Sequence, residues 1–422
     1  MSQTNTRPRS IGARTALGGL VALSLTACGS FGGGGENTEE ATPEGDGTIS
    51  FWHYYADPHG IPLTNVLEAY DEDHDEVEID VRHIPFPDFN RTLQQAAATG
   101  EVPDIALINA FDTHAMAEAG IIEDLSDRVE KWGEEDAYYE TSWATTQVDG
   151  STYGIPHVAD DYAVYYNQDL LDEAGVEPPE TWAEMEQAAA ELSEHTSHGI
   201  AICGREGAEG ATGILLRTLA AGGSLEQFSD GGPEALGSFQ TMVDNGGLSQ
   251  GFLTWSEEDA KNQFATGQAA MMINSATYVN ILREEAPDLN WDVVPMPTDE
   301  VSRTFLSAEN LAIGAGSGDA DAAWDLIAHL QQPEVLEEYL PKRNKLPARD
   351  DVPGAVEDPV RQTFAEELEN AWAPQGELAT HSNEVLAAVQ EAMQATISGS
   401  KSPEDAAADA QARIDEILSA SS

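Results

Sequence analysis

The sequence predicts an α/β protein large enough for two lobes. Strand-like and helix-like runs alternate β-α-β-α-β over the first folded stretch, which argues a parallel sheet covered by helices. The pattern changes character after Gly154-Ile155-Pro156, and at 422 residues the chain exceeds what one core usually fills.

The opening residues precede that body. Arg7, Arg9 and Arg14 stand ahead of the Leu25–Cys28 junction with no acidic residue among them, before and within an apolar segment, Ile11 to Ala27. It is shorter than the about 20 apolar residues of a membrane span and rich in small residues, so residues 1–27 read as a secretory signal peptide. The junction Leu25-Thr26-Ala27-Cys28 resembles the lipobox of bacterial lipoproteins, which implies a diacylglycerol on Cys28 and a body held outside the cytoplasmic membrane. Residues 28–47, glycine-rich and acidic, read as a flexible tether.

The folded part begins with a strand at Thr48–Trp52, a helix over Pro62–Asp71 and an alternating strand at Val77–Val81. Next come a helix over Pro87–Thr99, with Phe89, Leu93 and Ala96 at helical spacing, and a buried-type strand at Asp104–Ile108. Tyr162–Asn167 is strand-like and runs into a short helix ended by Gly175. Thr181 and Glu184 form the capping-box signature of a long helix. Helices are expected at 212–222 and 233–246, and strands at Ala269–Ile273, Trp291–Pro295 and Leu311–Gly314. The last third is helical: Ala320–Leu330, Pro333–Leu340, Val360–Asn370, Val385–Ser398 and Pro403–Ser419.

Nineteen basic residues stand against 76 acidic, a formal charge of −57. A phosphate backbone needs a basic footprint, so nucleic-acid binding is excluded as a function. Self-repulsion of this size is relieved at molar salt, where the Debye length falls to about 3 Å, so the composition suits a salty medium. With Cys28 acylated, Cys203 has no partner for a disulfide; in its apolar run it is expected to be buried. There is no Gly-x-Ser-x-Gly elbow, His-Glu-x-x-His, P-loop or Cys-x-x-Cys, and no cofactor or metal motif.

Several segments, in order, resemble the extracellular solute-binding proteins of family 1, the carbohydrate-binding components of ABC importers. The strongest runs from Gly154-Ile155-Pro156 through Asp161 and Tyr162-Ala163-Val164-Tyr165-Tyr166-Asn167-Gln168-Asp169-Leu170-Leu171 to Pro178-Pro179-Glu180-Thr181-Trp182. Gly100-Glu101-Val102-Pro103-Asp104, Gly267 to Met272, Glu309 to Ile313, Leu346 to Arg349 and Gly399 to Ala407 accompany it. The resemblance covers the chain beyond the tether. It implies a two-lobed periplasmic-binding-protein-like fold (type II), with a hinge and a ligand cleft between lobes. The lobes are placed at 48–157 with 278–332 and at 158–277 with 333–422. It further implies a monomer without catalysis or cofactor that captures a carbohydrate and docks on ABC permease subunits.

A sugar needs carboxylates and amides around its edge and aromatic rings against its faces. Loops at the carboxyl ends of strands should supply them. The candidates are His53 and Tyr54 after the first strand, then Asn109 and Asp112 after the strand ending at Ile108. Asp160 and Asp161 stand at the entrance of the second lobe, with Glu206 and Glu209 after its apolar strand. Trp255 is a stacking candidate; Asn274, Ser275, Glu309 and Asn310 are hydrogen-bonders. Arg349 is expected to reach the cleft, so that alanine there weakens binding with the fold intact. Many relatives carry a stacking tryptophan near Asn274–Tyr278, and this chain has none. Two alternatives stay open: a glycerol-phosphodiester ligand, suggested by Phe51-Trp52-His53, and a secreted glycoside-active enzyme using a carboxylate pair.

Overall fold

The computed structural model describes residues 47–420, apart from 57, 59, 75 and 76. The signal segment, the Cys28 lipidation site and residues 28–46 of the tether lie outside the described residues. Among the described residues no helix is long and apolar enough to cross a membrane.

Along the chain run β1 (Thr48–His53), β2 (Glu78–His83) and β3 (Ile105–Asn109), then a hairpin of β4 (Gln147–Val148) and β5 (Ser151–Thr152). β6 (Ile155–Asp160) leads through Asp161 into β7 (Tyr162–Asn167), followed by β8 (His198–Ala201) and β9 (Ala269–Ser275). β10 (Trp291–Val294), β11 (Thr304–Phe305), β12 (Ser307–Ile313), β13 (Leu346–Pro347) and β14 (Ala371–Trp372) complete the strands. They form a six-stranded sheet, β13-β6-β12-β3-β1-β2, and a four-stranded one, β10-β7-β9-β8. β1 is parallel to both β2 and β3, as the alternation predicts. β12 runs antiparallel to β3 and β6, so the large sheet is mixed.

Sheet membership moves the expected lobe boundaries in two places. β10, placed in the first lobe, pairs with β7, Val293 opposite Tyr165 and Val294 opposite Val164. β13, placed in the second, pairs with β6 of the first sheet, Leu346 opposite Ala159. Both exchanges come from the crossings between sheets, which composition does not mark. The first crossing is the β6–β7 junction at Asp161. The return passes through β11, which pairs in parallel with β14, Phe305 opposite Trp372.

Local chemistry accounts for the helices of both lobes. Helix Phe86–Thr99 buries Phe89, Leu93 and Ala96 and stops at Gly100, whose φ of +72° only glycine adopts freely. Burying such side chains contributes about 1.5–3 kcal/mol each for Phe and Leu. Helix Trp182–Leu192 has the expected box: Glu184 N donates to Thr181 Oγ1 at 3.2 Å, and Thr181 N donates to Glu184 Oε2 at 3.0 Å. The helix expected from 233 begins at Phe228, running through Gly231-Gly232-Pro233 because Phe228 and Leu236 are anchored in the core. Helices Ser382–Ile397 and Pro403–Ser419 pack against Phe228–Asp244 over the second sheet.

Candidate functional site

A cavity of ≈ 420 Å³ is walled by both lobes. On the first-lobe side β3 ends at Asn109, whose Oδ1 accepts from Phe111 N at 3.0 Å and starts the turn Ala110–Asp112. That turn aims Phe111 and Asp112 at the cavity, beside Phe86 and Asn90 from the start of helix Phe86–Thr99. Across it stand Glu209 and Thr212 and, at the first position of helix Glu257–Ala265, Glu257. Tyr162, Phe305 and Ser307 come from the crossing segments, and Asn383 from helix Ser382–Ile397.

Aromatic faces line this space. Phe111 and Phe305 stack with centroids 5.2 Å apart and planes 12° apart, and Tyr162 stacks on Phe305 at 6.1 Å. The polar groups are built with equal care. Tyr162 OH donates to Glu257 Oε1 at 2.7 Å, and Glu257 N donates to Glu209 Oε1 at 3.0 Å. Arg205 reaches Glu209 Oε2 at 2.8 Å. Asn383 Nδ2 donates to Asp112 Oδ1 at 3.4 Å. Burial pushes the Glu257 carboxyl up to about 7 against the pull of the Tyr162 hydrogen bond, with Glu209 and Asp160 adding to the rise. Burial also raises the Asp112 carboxyl, opposed by hydrogen bonds from Asn90 and Asn383. The site therefore offers flat apolar faces, carboxyl groups and side-chain amides.

Of the residues expected from sequence, Asn109, Asp112 and Glu209 line the cavity. The others have different surroundings. His53 is buried in the first lobe, its Nδ1 accepting from Tyr55 N at 3.2 Å. Tyr54 packs its ring on Phe86 and Phe89, one layer behind the wall. Asp160 is buried at the hinge, where it accepts from Ala276 N and Thr277 Oγ1 and pairs with Lys345 at 3.0 Å. Asp161 beside it is fully buried. Glu206 is exposed. Trp255 packs near His198, and its carbonyl accepts from Gly204 N and Arg205 N.

Asn274 is a support: its Nδ2 donates to the Glu257 carbonyl at 3.0 Å, fixing the start of that helix. Ser275 presents its carbonyl to Tyr165 OH at 2.6 Å. β12 begins four residues before the expected strand, so Glu309 and Asn310 lie inside it. Glu309 is opposite Asn109 in the ladder and 3.8 Å from Lys345; Asn310 Nδ2 donates to Thr113 and Thr145.

Arg349 departs furthest from expectation. Its guanidinium is buried, forked onto Asp351 at 2.6 and 2.7 Å and bonded to Glu134 and the Gln331 carbonyl. It ties three segments of the first lobe together and lies outside the cavity lining. Weaker binding with an intact fold, expected of alanine at 349, loses its premise.

Six wall residues carried no singular mark in the sequence. Glu257 sits in an ordinary acidic helix start, Phe305 in a two-residue strand, and Asn383 is 271 positions from the Asp112 it bonds. Tyr162 read as strand and Asn90 as helix, and Phe86 fell just ahead of that helix. A second concavity, ≈ 370 Å³, is walled by Tyr70 and His329 on helices of the first lobe and by His74 just past the end of the first of them.

A family model described as bacterial extracellular solute-binding protein matches residues 65–363. The multiple sugar-binding protein of Streptococcus mutans is 21% identical over 357 residues, 80% of each chain. The maltotriose-binding protein of Pyrococcus abyssi is 21% identical over 78% of this chain and 73% of its own. Among solved structures, the GacH receptor of Streptomyces glaucescens, studied unliganded and with acarbose, superposes with a TM-score of 0.78 at 23% identity. That match covers 89% of this chain and 99% of the receptor.

Proposed function

The chain belongs to the family of bacterial extracellular solute-binding proteins, and from that premise we propose that it captures a sugar or oligosaccharide in the interlobe cavity and delivers it to an ABC permease. The observation that carries this reading is the wall itself: stacked Phe111, Phe305 and Tyr162 beside carboxyl and amide groups from both lobes. Rings cover the C–H faces of a pyranose, while Asp112, Glu257, Asn90 and Asn383 meet its hydroxyls. Several such hydrogen bonds, each about 1 kcal/mol and more when charged, with stacking, supply the roughly 8 kcal/mol of a micromolar complex.

The names of the relatives support a saccharide over the other ligands. A glycerol phosphodiester would meet carboxyl groups in a wall that, among the described residues, includes no lysine or arginine. In this reading the ligand-bound lobes close about the Asp161 and β11–β12 crossings, and the body works outside the membrane, held by acyl chains on Cys28 through the 28–47 tether. More than one chain is needed, since a single one holds only marginally.

Purified protein should show a saturable rise in melting temperature with one or more of maltose, maltotriose, cellotriose and mannotriose, at low and at molar salt, with the saccharide recovered unchanged. No shift with any of them, or turnover to smaller sugars, contradicts the proposal.

A further inference from the structure

Resting on the saccharide reading, we infer that this cavity selects sugars carrying a protonated amine, because each of its two walls presents a carboxyl group whose direct partners are all neutral. On the first-lobe wall Asp112 accepts, among the described residues, from the side-chain amides of Asn383 and Asn90. On the second-lobe wall Glu257 accepts from Tyr162 OH at 2.7 Å. Neither makes an ion pair among the described residues. Glu209 is different: Arg205 neutralises it at 2.8 Å from an exposed position. Among the described residues the cavity wall includes no lysine, arginine or histidine.

The charged and titratable groups around the two carboxyls sharpen the point. Glu257 faces Glu209 and Asp160, which disfavour its charge, and Tyr278 and Cys203 on neighbouring elements are pushed up in part by Glu257 itself. Lys345 favours the ionised form of Glu257, and that ammonium is committed to Asp160 at 3.0 Å. Asp112 in turn helps to raise the Tyr54 hydroxyl behind the wall. An unpaired carboxylate in a half-buried site is costly, and it answers by holding a proton. A ligand ammonium removes that cost by supplying the missing counter-charge, and the stacked Phe111, Phe305 and Tyr162 faces favour a cation further. A neutral hydroxyl does neither. At mildly acidic to neutral pH the exchange balances as ligand–NH₃⁺ binding while Glu257 releases its proton to solvent.

The test uses two trisaccharides of one linkage: cellotriose, and the fully deacetylated chitosan trimer, which carries an amine in place of each C2 hydroxyl. Calorimetric titration at pH 5.5, where the ligand amines are protonated and the Glu257 carboxyl still holds its proton, in two buffers of different ionisation enthalpy reads affinity and proton release together. The amine trimer should bind at least about tenfold tighter, as one hydrogen bond gaining a charge predicts, with net proton release and a preference that shrinks as salt is raised. Glu257→Gln, which keeps shape and hydrogen-bonding capacity, should collapse both the preference and the proton release, with circular dichroism confirming the fold. If the amine trimer binds no tighter than cellotriose, or without proton release, the inference is overturned while saccharide binding stands. If the amine trimer does not bind at all, the inference is overturned, and the neutral panel decides separately whether the saccharide reading falls with it.

Discussion

Lys345→Met is expected to destabilise the protein by about 3–5 kcal/mol, the usual consequence of stripping the partner from a buried charge. Lys345 is only 7% exposed, yet its ammonium serves Asp160 (1% exposed) at 3.0 Å and Glu309 at 3.8 Å. Burial opposes its charge, but the two carboxylates outweigh burial and hold the ammonium pKa above its ordinary value. Methionine fills the same volume and takes from both carboxylates their ion-pair partner where β6, β12 and β13 meet. Against a total stability of about 5–15 kcal/mol this is a large fraction, read as a melting temperature lower by about 5–10 °C. Adding Asp160→Asn should restore part of the loss, since the amide still accepts from Ala276 N and can bond Thr277. An unchanged melting temperature in the single variant would show that the pair does not hold the hinge together.

The second large effect concerns the neighbouring residue. Asp161 is fully buried at the crossing from the first sheet to the second, and neither carboxylate oxygen has a hydrogen-bond partner among the described residues. Burial first, then Asp160 and Glu367, push its carboxyl well above the ordinary value of 3.8. The native state therefore keeps a proton that the unfolded chain gives up near 3.8. The native state binding more protons, stability falls as pH rises above that value, by about 1.4 kcal/mol per pH unit, until the folded carboxyl itself ionises. Asp161→Asn has no proton to lose. Wild type and variant should melt alike near pH 4 and diverge as pH rises to 8, the variant being the more stable. Parallel melting curves across that range would place Asp161 in a solvated or paired setting instead.

These two residues show what the sequence carried and what it withheld. Periodicity and caps act over a few residues, so Tyr162–Asn167, Ala320–Leu330, Pro403–Ser419 and the Thr181–Glu184 box stand where expected. Asn109 and Asp112 were found because a strand end followed by a polar turn is a local signal. Long-range pairing has no such signature. Asp160 meets a lysine 185 positions away, and Arg349 meets Glu134 across 215. Side chains that looked available for ligand were thus already committed to the fold. Glu257 was hidden for the opposite reason: in a chain with 76 acidic residues, one more at a helix start has nothing to single it out. Only Tyr162, Asn274 and Glu209 converging on it do so. Phe305 became a candidate only once β11 paired with β14 beside Phe111.

Ligand is expected to bind against the stacked Phe111 and Phe305 rings, beside Asp112 and Glu257. A crystal structure of the protein grown with the saccharide giving the largest thermal shift tests it most directly. A sugar ring should lie against the Phe111 or Phe305 face, with hydroxyl or amine groups within hydrogen-bond distance of Asp112 and Glu257. A saccharide seated instead in the Tyr70–His74–His329 concavity, or anywhere that leaves those four side chains untouched, would contradict it.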